Sequence, residues 1–212
     1  MNKRIAILIS GRGSNMVALA DAIGSGRIPN AEIAIVISDK ASAAGLQLAR
    51  DRDIQTAVVE RRGRTREEHE REIISILRSH NVDFICLAGY MRLLSPCLID
   101  AFRGRILNIH PSLLPSFPGL DAQRQALEHG VKVSGCTVHF VDDTLDGGPI
   151  IAQRVVPVRE DDTEETLSAR ILEQEHQLYP EALRLVVEGK YDVDGRRVVL
   201  RAGRNQAGTV GP

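Results

Sequence analysis

Ile5-Ala6-Ile7-Leu8-Ile9-Ser10-Gly11-Arg12-Gly13-Ser14-Asn15-Met16 is the stretch that decides the fold. Ile5 to Ile9 has no polar residue, the pattern of a short strand buried on both faces. A glycine turn breaks the run. Met16, Leu19, Ala20 and Ile23 then recur at helical spacing.

The same alternation continues outward. Ile33 to Ile37 reads as a second buried strand, Ala41 to Arg52 as a second helix and Thr56 to Val59 as a third strand. Thr65 and Glu68 have capping-box spacing, and Ile73, Ile74 and Leu77 give the next helix its apolar stripe. Phe84 to Ala88 is a fourth strand and Ile106 to Ile109 a fifth. From Val133 the pattern changes: Val133 to Val141 alternates, and Ile150 to Val158 can pair with it antiparallel across Asp146-Gly147-Gly148. A long helix begins near Thr163, with Leu167, Ile171, Leu178 and Leu185 on one stripe, and Pro180 predicts a kink or a break in it. Asp194-Gly195-Arg196 predicts a hairpin turn between short strands. The expectation is an α/β fold: a Rossmann-like, mostly parallel sheet with helices on both faces and an antiparallel C-terminal strand pair. Residues 1–201 read as one domain, and 202–212, glycine-rich and polar, as a disordered tail. Ligands of such sheets bind outside the carboxyl ends of the strands. The glycine loop, the Gly89 to Leu94 loop and Asn108 and His110 all fall at that edge.

Length and composition bound the function. The 212 residues are 43% hydrophobic, enough for a full core, but only 3% aromatic, so the core is aliphatic. With 27 basic and 28 acidic side chains the net charge is −1, which points to neither nucleic acid nor membrane. Cys86, Cys97 and Cys136 are widely spaced and read as reduced, without metal-ligand spacing. No apolar run approaches the ~20 residues of a membrane span. The first strand starts too early to leave room for a signal peptide, so a cytoplasmic enzyme is expected.

Chemistry enters with Asn108-Ile109-His110-Pro111-Ser112 and, much later, Asp146-Gly147-Gly148. Asn108 and His110 are two residues apart, so on a strand their side chains share a face. Pro111 ends the strand and fixes the turn behind the histidine. An amide, an imidazole and a carboxylate at strand ends are what acyl transfer needs: a carbonyl polariser, a proton acceptor and a group that holds the acceptor's charge. No serine or cysteine stands in a nucleophile motif, so the nucleophile is expected to be the substrate. Taken singly, Asn-x-His is common and Asp-Gly is most often a plain turn. Their surroundings set them apart. Ile99 to Ile109, apolar apart from Asp100, Arg103, Arg105 and the motif's Asn108, leads into the motif, and Leu113-Leu114-Pro115-Ser116-Phe117-Pro118-Gly119 is a stiff apolar wall rather than a solvated linker. The loop Gly11-Arg12-Gly13-Ser14-Asn15 lacks the third glycine of a dinucleotide fingerprint and the Gly-Lys-Thr/Ser of a nucleotide triphosphate loop. A single phosphomonoester on helix N–H groups fits it better, and a tight structural turn is the alternative.

Asn108-Ile109-His110-Pro111-Ser112-Leu113-Leu114-Pro115, Phe117-Pro118-Gly119, Gly135-Cys136-Thr137-Val138-His139 and Asp146-Gly147-Gly148-Pro149-Ile150 together resemble the folate-dependent formyltransferases. Ser10-Gly11-Arg12-Gly13-Ser14-Asn15 is similar to the branch that acts on glycinamide ribonucleotide. The resemblance runs from about Lys3 to about Tyr191. It implies transfer of the formyl group of 10-formyltetrahydrofolate, as co-substrate, to the amine of 5-phosphoribosylglycinamide in purine synthesis, with no metal. It implies catalysis by Asn108, His110 and Asp146. It places the 5′-phosphate on Gly13, Ser14 and Asn15, and a ribose hydroxyl on Glu175. It puts Arg66 near the folate's acidic tail, and Met91, Arg92, Leu93 and Leu94 around the pterin, with Asn108, Val141, Asp142 and Asp146 completing that pocket. The half up to about residue 105 would then bind phosphate, and the second half would carry catalysis and the folate. Partners would be small molecules only, on a monomer or homodimer. Many members carry a histidine where this chain has Gln123, a departure that leaves that position without an assigned role.

Plainer readings stand beside these. Arg61-Arg62-Gly63-Arg64 and Arg66 could be a solvated charged face. The leucines of Met91-Arg92-Leu93-Leu94 could be strand-end packing, and Glu175 an exposed helix glutamate. His129 and His139 read as structural, and His176 has no assigned chemistry. Formyltetrahydrofolate hydrolysis is the nearest rival activity, with the phosphate loop and the lack of an additional N-terminal domain against it. Formylation of methionyl-tRNA would call for a basic C-terminal domain. A noncatalytic nucleotide-binding module would need the phosphate loop but not Asn108, His110 and Asp146 together.

Overall fold

Side chains of β1 (Lys3–Ile9) alternate between two cores in the computed structural model, which describes residues 2–201. Ile5, Ile7 and Ile9 enter one core and Ala6 and Leu8 the other, and all five are fully buried. Each buried isoleucine or leucine contributes about 1.5–3 kcal/mol, so a strand covered on both faces must be apolar throughout. The first core is roofed by α1 (Ser14–Gly24), α2 (Ala44–Arg50), α5 (Ala122–Glu128) and α6 (Glu164–Glu188). The second is roofed by α3 (Arg66–Ser79) and α4 (Pro96–Ala101).

β1 pairs in parallel with β2 (Ala31–Ser38) on one side and β4 (Phe84–Leu87) on the other. β3 (Thr56–Val58) extends the sheet beyond β2, and β5 (Ile106–His110) extends it beyond β4, all parallel. β6 (Val133–Phe140) is antiparallel to β5, and β7 (Ile150–Pro157) is antiparallel to β6. A terminal hairpin, β8 (Tyr191–Asp194) and β9 (Arg197–Leu200), joins β7 through β9 and completes a nine-stranded sheet of order β3-β2-β1-β4-β5-β6-β7-β9-β8. The α/β expectation therefore holds, with its mostly parallel sheet, its helices on both faces and its antiparallel strand pair. Strand order reverses at β1, which opens a crevice at the carboxyl ends of β1 and β4. Backbone N–H of Ser10 donates to Gly89 O across that crevice at 3.1 Å.

The capping box at Thr65 is present: Glu68 N–H donates to Thr65 Oγ1 at 3.2 Å, and Thr65 N–H donates to the Glu68 carboxylate at 2.8 Å. Pro180 neither splits nor ends α6, which runs unbroken for 25 residues. A proline inside a helix costs about 3 kcal/mol. Leu178, Tyr179, Ala182 and Leu183 are buried on both sides of it, and that packing outweighs the lost hydrogen bond. Past the proline the buried stripe is Ala182, Leu183 and Val186, while Leu185 is only half-buried. The polar–apolar alternation of β6 is not an in–out alternation either, because Ser134, Thr137 and His139 are buried too. The helices α4 and α5, six and seven residues long, went unforeseen in apolar and proline-rich surroundings. The expected tail, 202–212, lies outside the described residues.

Candidate active site

Antiparallel pairing of β5 with β6 sets Asn108 directly opposite His139, and His110 opposite Thr137. Directly opposed side chains on one face of such a pair lie within contact distance. Asn108 Nδ2 lies 3.2 Å from His139 Nε2. Asp146 comes from the loop between β6 and β7 and reaches both imidazoles. Its Oδ2 is 3.5 Å from His110 Nδ1, and its Oδ1 is 3.7 Å from His139 Nε2. The three expected residues are thus brought together, and His139 stands among them as a fourth.

Backbone carbonyls only accept, which fixes the tautomers. His110 Nε2 is 2.9 Å from Phe117 O, so it carries a proton and Nδ1 is the nitrogen turned to Asp146. His139 Nδ1 is 2.8 Å from Phe140 O, so its proton sits there. Burial holds the His139 pKa below the usual histidine value, against the pull of the Phe140 carbonyl and of Asp146. Asp146 in turn accepts from Gly119 N–H at 2.8 Å.

The stiff wall after His110 is held from beneath. Thr137 Oγ1 donates to Ser112 O at 2.7 Å and accepts from Leu114 N–H at 3.1 Å. Gln153 Nε2 donates to Leu114 O at 2.9 Å. Phe117 and Asp146 both take left-handed backbone conformations, φ 54° and 47°. Non-glycine residues there carry strain of about 1–3 kcal/mol and cluster at functional sites. The glycines after Asp146 approach protein rather than open space: a Cβ on Gly147 would lie 2.5 Å from the Thr144 side chain. A Cβ on Gly148 would lie 1.9 Å from Phe140 O.

At the first strand, Gly13 (φ 79°) precedes α1, whose first turn has no side-chain cap. A Cβ on Gly13 would lie 2.6 Å from Gly45 Cα, so close packing of the loop on α2 already demands glycine. Asn15 is buried and its Nδ2 donates to Glu175 Oε2 at 2.7 Å. Its Oδ1 is buried without a partner. Glu175 is not an exposed helix residue: it is 7% exposed, on the core-facing stripe of α6. Burial raises its pKa, opposed by Asn15 and by the Arg12 charge. An unpaired amide oxygen beside a half-satisfied carboxylate makes a polar corner next to uncapped helix N–H groups, suited to a phosphorylated polyol.

Arg66, Met91, Arg92 and Leu93 share a pocket of about 170 Å³ with Arg61, His69 and Glu70. Leu94 and Val141 instead pack against the second core, and Asp142 Oδ1 accepts from Thr144 N–H at 2.8 Å within its own loop. His129 packs tilted against Phe117 with ring centroids 5.2 Å apart, a structural contact. Gln123 is half-buried on α5. The Cys86 and Cys136 thiols are pushed up to about 12 by burial. His139, structural on the sequence alone, stands instead within reach of Asn108 and Asp146. One signal was available: Thr137-Val138-His139 repeats the polar–apolar–polar spacing of Asn108-Ile109-His110.

The chain is similar to known proteins in sequence and in fold. The formyl transferase family model matches residues 3–183. The phosphoribosylglycinamide formyltransferase of Escherichia coli (strain K12) is 44% identical over 187 residues, 88% of each chain. The trifunctional purine biosynthetic protein adenosine-3 of Homo sapiens is 50% identical over 189 residues, which are 88% of this chain but only 18% of that protein. The crystal structure of glycinamide ribonucleotide transformylase 1 from Symbiobacterium toebii superposes with a TM-score of 0.93 at 51% identity, covering 95% of both chains.

Proposed function

Because this chain belongs to the formyl transferase family, we infer that it transfers the formyl group of 10-formyltetrahydrofolate to the amine of 5-phosphoribosylglycinamide. The observation that carries this reading is the cluster of Asn108, His110 and Asp146 at the carboxyl edge of the sheet, with contacts of 3.2 to 3.7 Å among them and His139. The amine attacks the formyl carbon, and negative charge develops on the formyl oxygen. Asn108, with two N–H donors, stabilises it. A C–N bond forms to the amine and the bond to folate N10 breaks. One proton leaves the amine and one arrives at N10. His110 Nε2–H is held by Phe117 O, so Nδ1, which faces Asp146, is the nitrogen that takes up a proton in that traffic, and Asp146 holds the charge when it does.

The two substrates would approach from opposite sides of the cluster. Gly13, Ser14, Asn15 and Glu175 would hold the phosphate and ribose. Arg66, Met91, Arg92 and Leu93 would line the folate side, with Leu94, Val141 and Asp142 contributing backbone. We assign residues 1–201 to one domain on the continuity of the sheet. Among the described residues no helix is long and apolar enough to cross a membrane.

The test is turnover of purified protein with both substrates, followed by the absorbance change of folate deformylation and by mass of the formylated ribonucleotide. Formyl transfer to the amine is expected. Release of free formate at the same rate without ribonucleotide would instead identify a hydrolase.

A further inference from the structure

His139 has no step in the reaction above, yet it is the residue that Asn108 faces. We propose that His139 is a positioning residue: a neutral imidazole that fixes the amide orientation of Asn108 and leaves its second N–H free for the formyl oxygen. This rests on the reading of Asn108 as the oxyanion donor.

Phe140 O, 2.8 Å from His139 Nδ1, can only accept, so the ring proton is at Nδ1. The side chain is 2% exposed, and burial disfavours a second proton. Nε2 therefore presents a lone pair. Two groups face it: Asn108 at 3.2 Å, and Asp146 Oδ1 at 3.7 Å. An ionised carboxylate has no proton to give. Asn108 must turn its NH₂ to the ring, because its carbonyl oxygen there would set two acceptors against each other. A backbone carbonyl thus dictates, through one imidazole, which way an amide points. Cross-strand register holds the pair opposed.

Protonation would reverse the arrangement. A cationic His139 would donate from Nε2, to Asp146 or to the amide oxygen of a turned Asn108. The charges facing the ring are Asp146 and Asp142 from the β6–β7 loop, which favour the cation, and His110 from β5, which opposes it. Burial outweighs them in the direction of the neutral ring, so the donor stays oriented down to a pH below the ordinary histidine value of about 6.5.

The experiment is a double-mutant cycle with His139→Leu, His139→Gln, Asn108→Ala and the pair Asn108→Ala/His139→Leu, with thermal melts as a folding check. Asn108→Ala should lower kcat about 10²–10³-fold. His139→Leu should lower kcat on the order of ten-fold with both KM values little changed. His139→Gln, which supplies an acceptor that does not titrate, should recover most of that loss and flatten the acid limb of the kcat profile. In the Asn108→Ala background, His139→Leu should cost nothing further. A repeated ten-fold loss in that background would overturn the proposal, and so would a glutamine variant as slow as the leucine one. Should the leucine variant not fold, the glutamine variant decides by its rate and pH profile. Near wild-type turnover of Asn108→Ala would instead remove the oxyanion reading itself, a separate failure visible in the single variant.

Discussion

Asn108 and His139 meet across two hydrogen-bonded strands, whereas Met91, Arg92 and Leu93 sit on a loop whose shape comes from side chains of three other segments of the chain. In the first region, register alone sets the spacing. In the second, Met91 N–H donates to Ser10 Oγ at 2.9 Å, Arg92 Nε donates to Asp39 Oδ2 at 2.6 Å, and Ser95 N–H donates to Glu70 Oε1 at 2.9 Å. Chemistry that tolerates little displacement stands on strands, and the wall that meets a larger ligand stands on a braced loop. Damage to the strand region should therefore appear in kcat, and damage to the loop region in KM for the folate.

Asp146 reaches the strand pair from the β6–β7 loop and touches His110 and His139, so Asp146→Asn is the most severe test of the first half of that statement. The change keeps size and the contact with Gly119 N–H, but removes the charge opposite His110 Nδ1. Turnover should fall by about 10²-fold or more while ribonucleotide affinity barely moves, as for an interaction made mainly in the transition state. Steady-state kinetics with direct ribonucleotide binding measure both. Near wild-type turnover would reduce Asp146 to a turn residue.

Gly13→Val comes next, and here the structure changes what is expected. A phosphate role alone would predict a selective rise in the ribonucleotide KM. Gly13 has φ 79°, and a Cβ would meet Gly45 backbone at 2.6 Å, so the variant should lose about 2–4 kcal/mol of stability before any binding is read. Denaturant unfolding decides this, and an unchanged midpoint would show that the loop relaxes freely.

These cases mark how much the sequence could disclose. β1, β2, β4 and β5 were legible because strands buried on both faces leave apolar runs bounded by turns, and Thr65 with Glu68 marked a helix start by chemistry local to three residues. Asn108 and His110 were legible as a pair because their spacing is local too. His139 was not, because its role depends on which residue of β6 lies opposite Asn108, and pairing register is a nonlocal fact. Glu175 needed the resemblance to stand out, since a carboxylate on a buried stripe has its reason in Asn15, 160 residues away. Pro180 does not split α6 because local propensity lost to packing on both sides of it.

Asp39→Asn tests the loop region with a smaller effect. The Asp39 side chain is 2% exposed and that of Arg92 is 33% exposed, so loss of the carboxylate charge leaves an arginine that water can still solvate. The loop should loosen rather than collapse. A rise of a few-fold in the folate KM is expected, with kcat and the ribonucleotide KM unchanged within about two-fold. A selective fall in kcat would mean that the loop positions the reacting atoms after all, and the contrast between the two regions would fail.

Tyr179→Phe should have the smallest effect, and it probes the strand region from below. The Tyr179 hydroxyl is fully buried and lies 3.1 Å from both Leu87 O and Leu107 O, linking the last residue of β4 to the residue of β5 that precedes Asn108. One proton is shared between two carbonyls that already belong to a parallel ladder. Its removal should cost about 1 kcal/mol and lower Tm by about 2–4 °C for a chain of this size. If ladder register positions Asn108, kcat should not change, since the pairings of Leu87 with Asn108 and of Asn108 with His139 survive without the hydroxyl. Calorimetry and kcat on the same preparation settle it. A ten-fold fall in kcat with a Tm loss of only 2–4 °C would show that the strand ends need a side-chain brace as the loop does, and the line drawn between the two regions would have to move to β6.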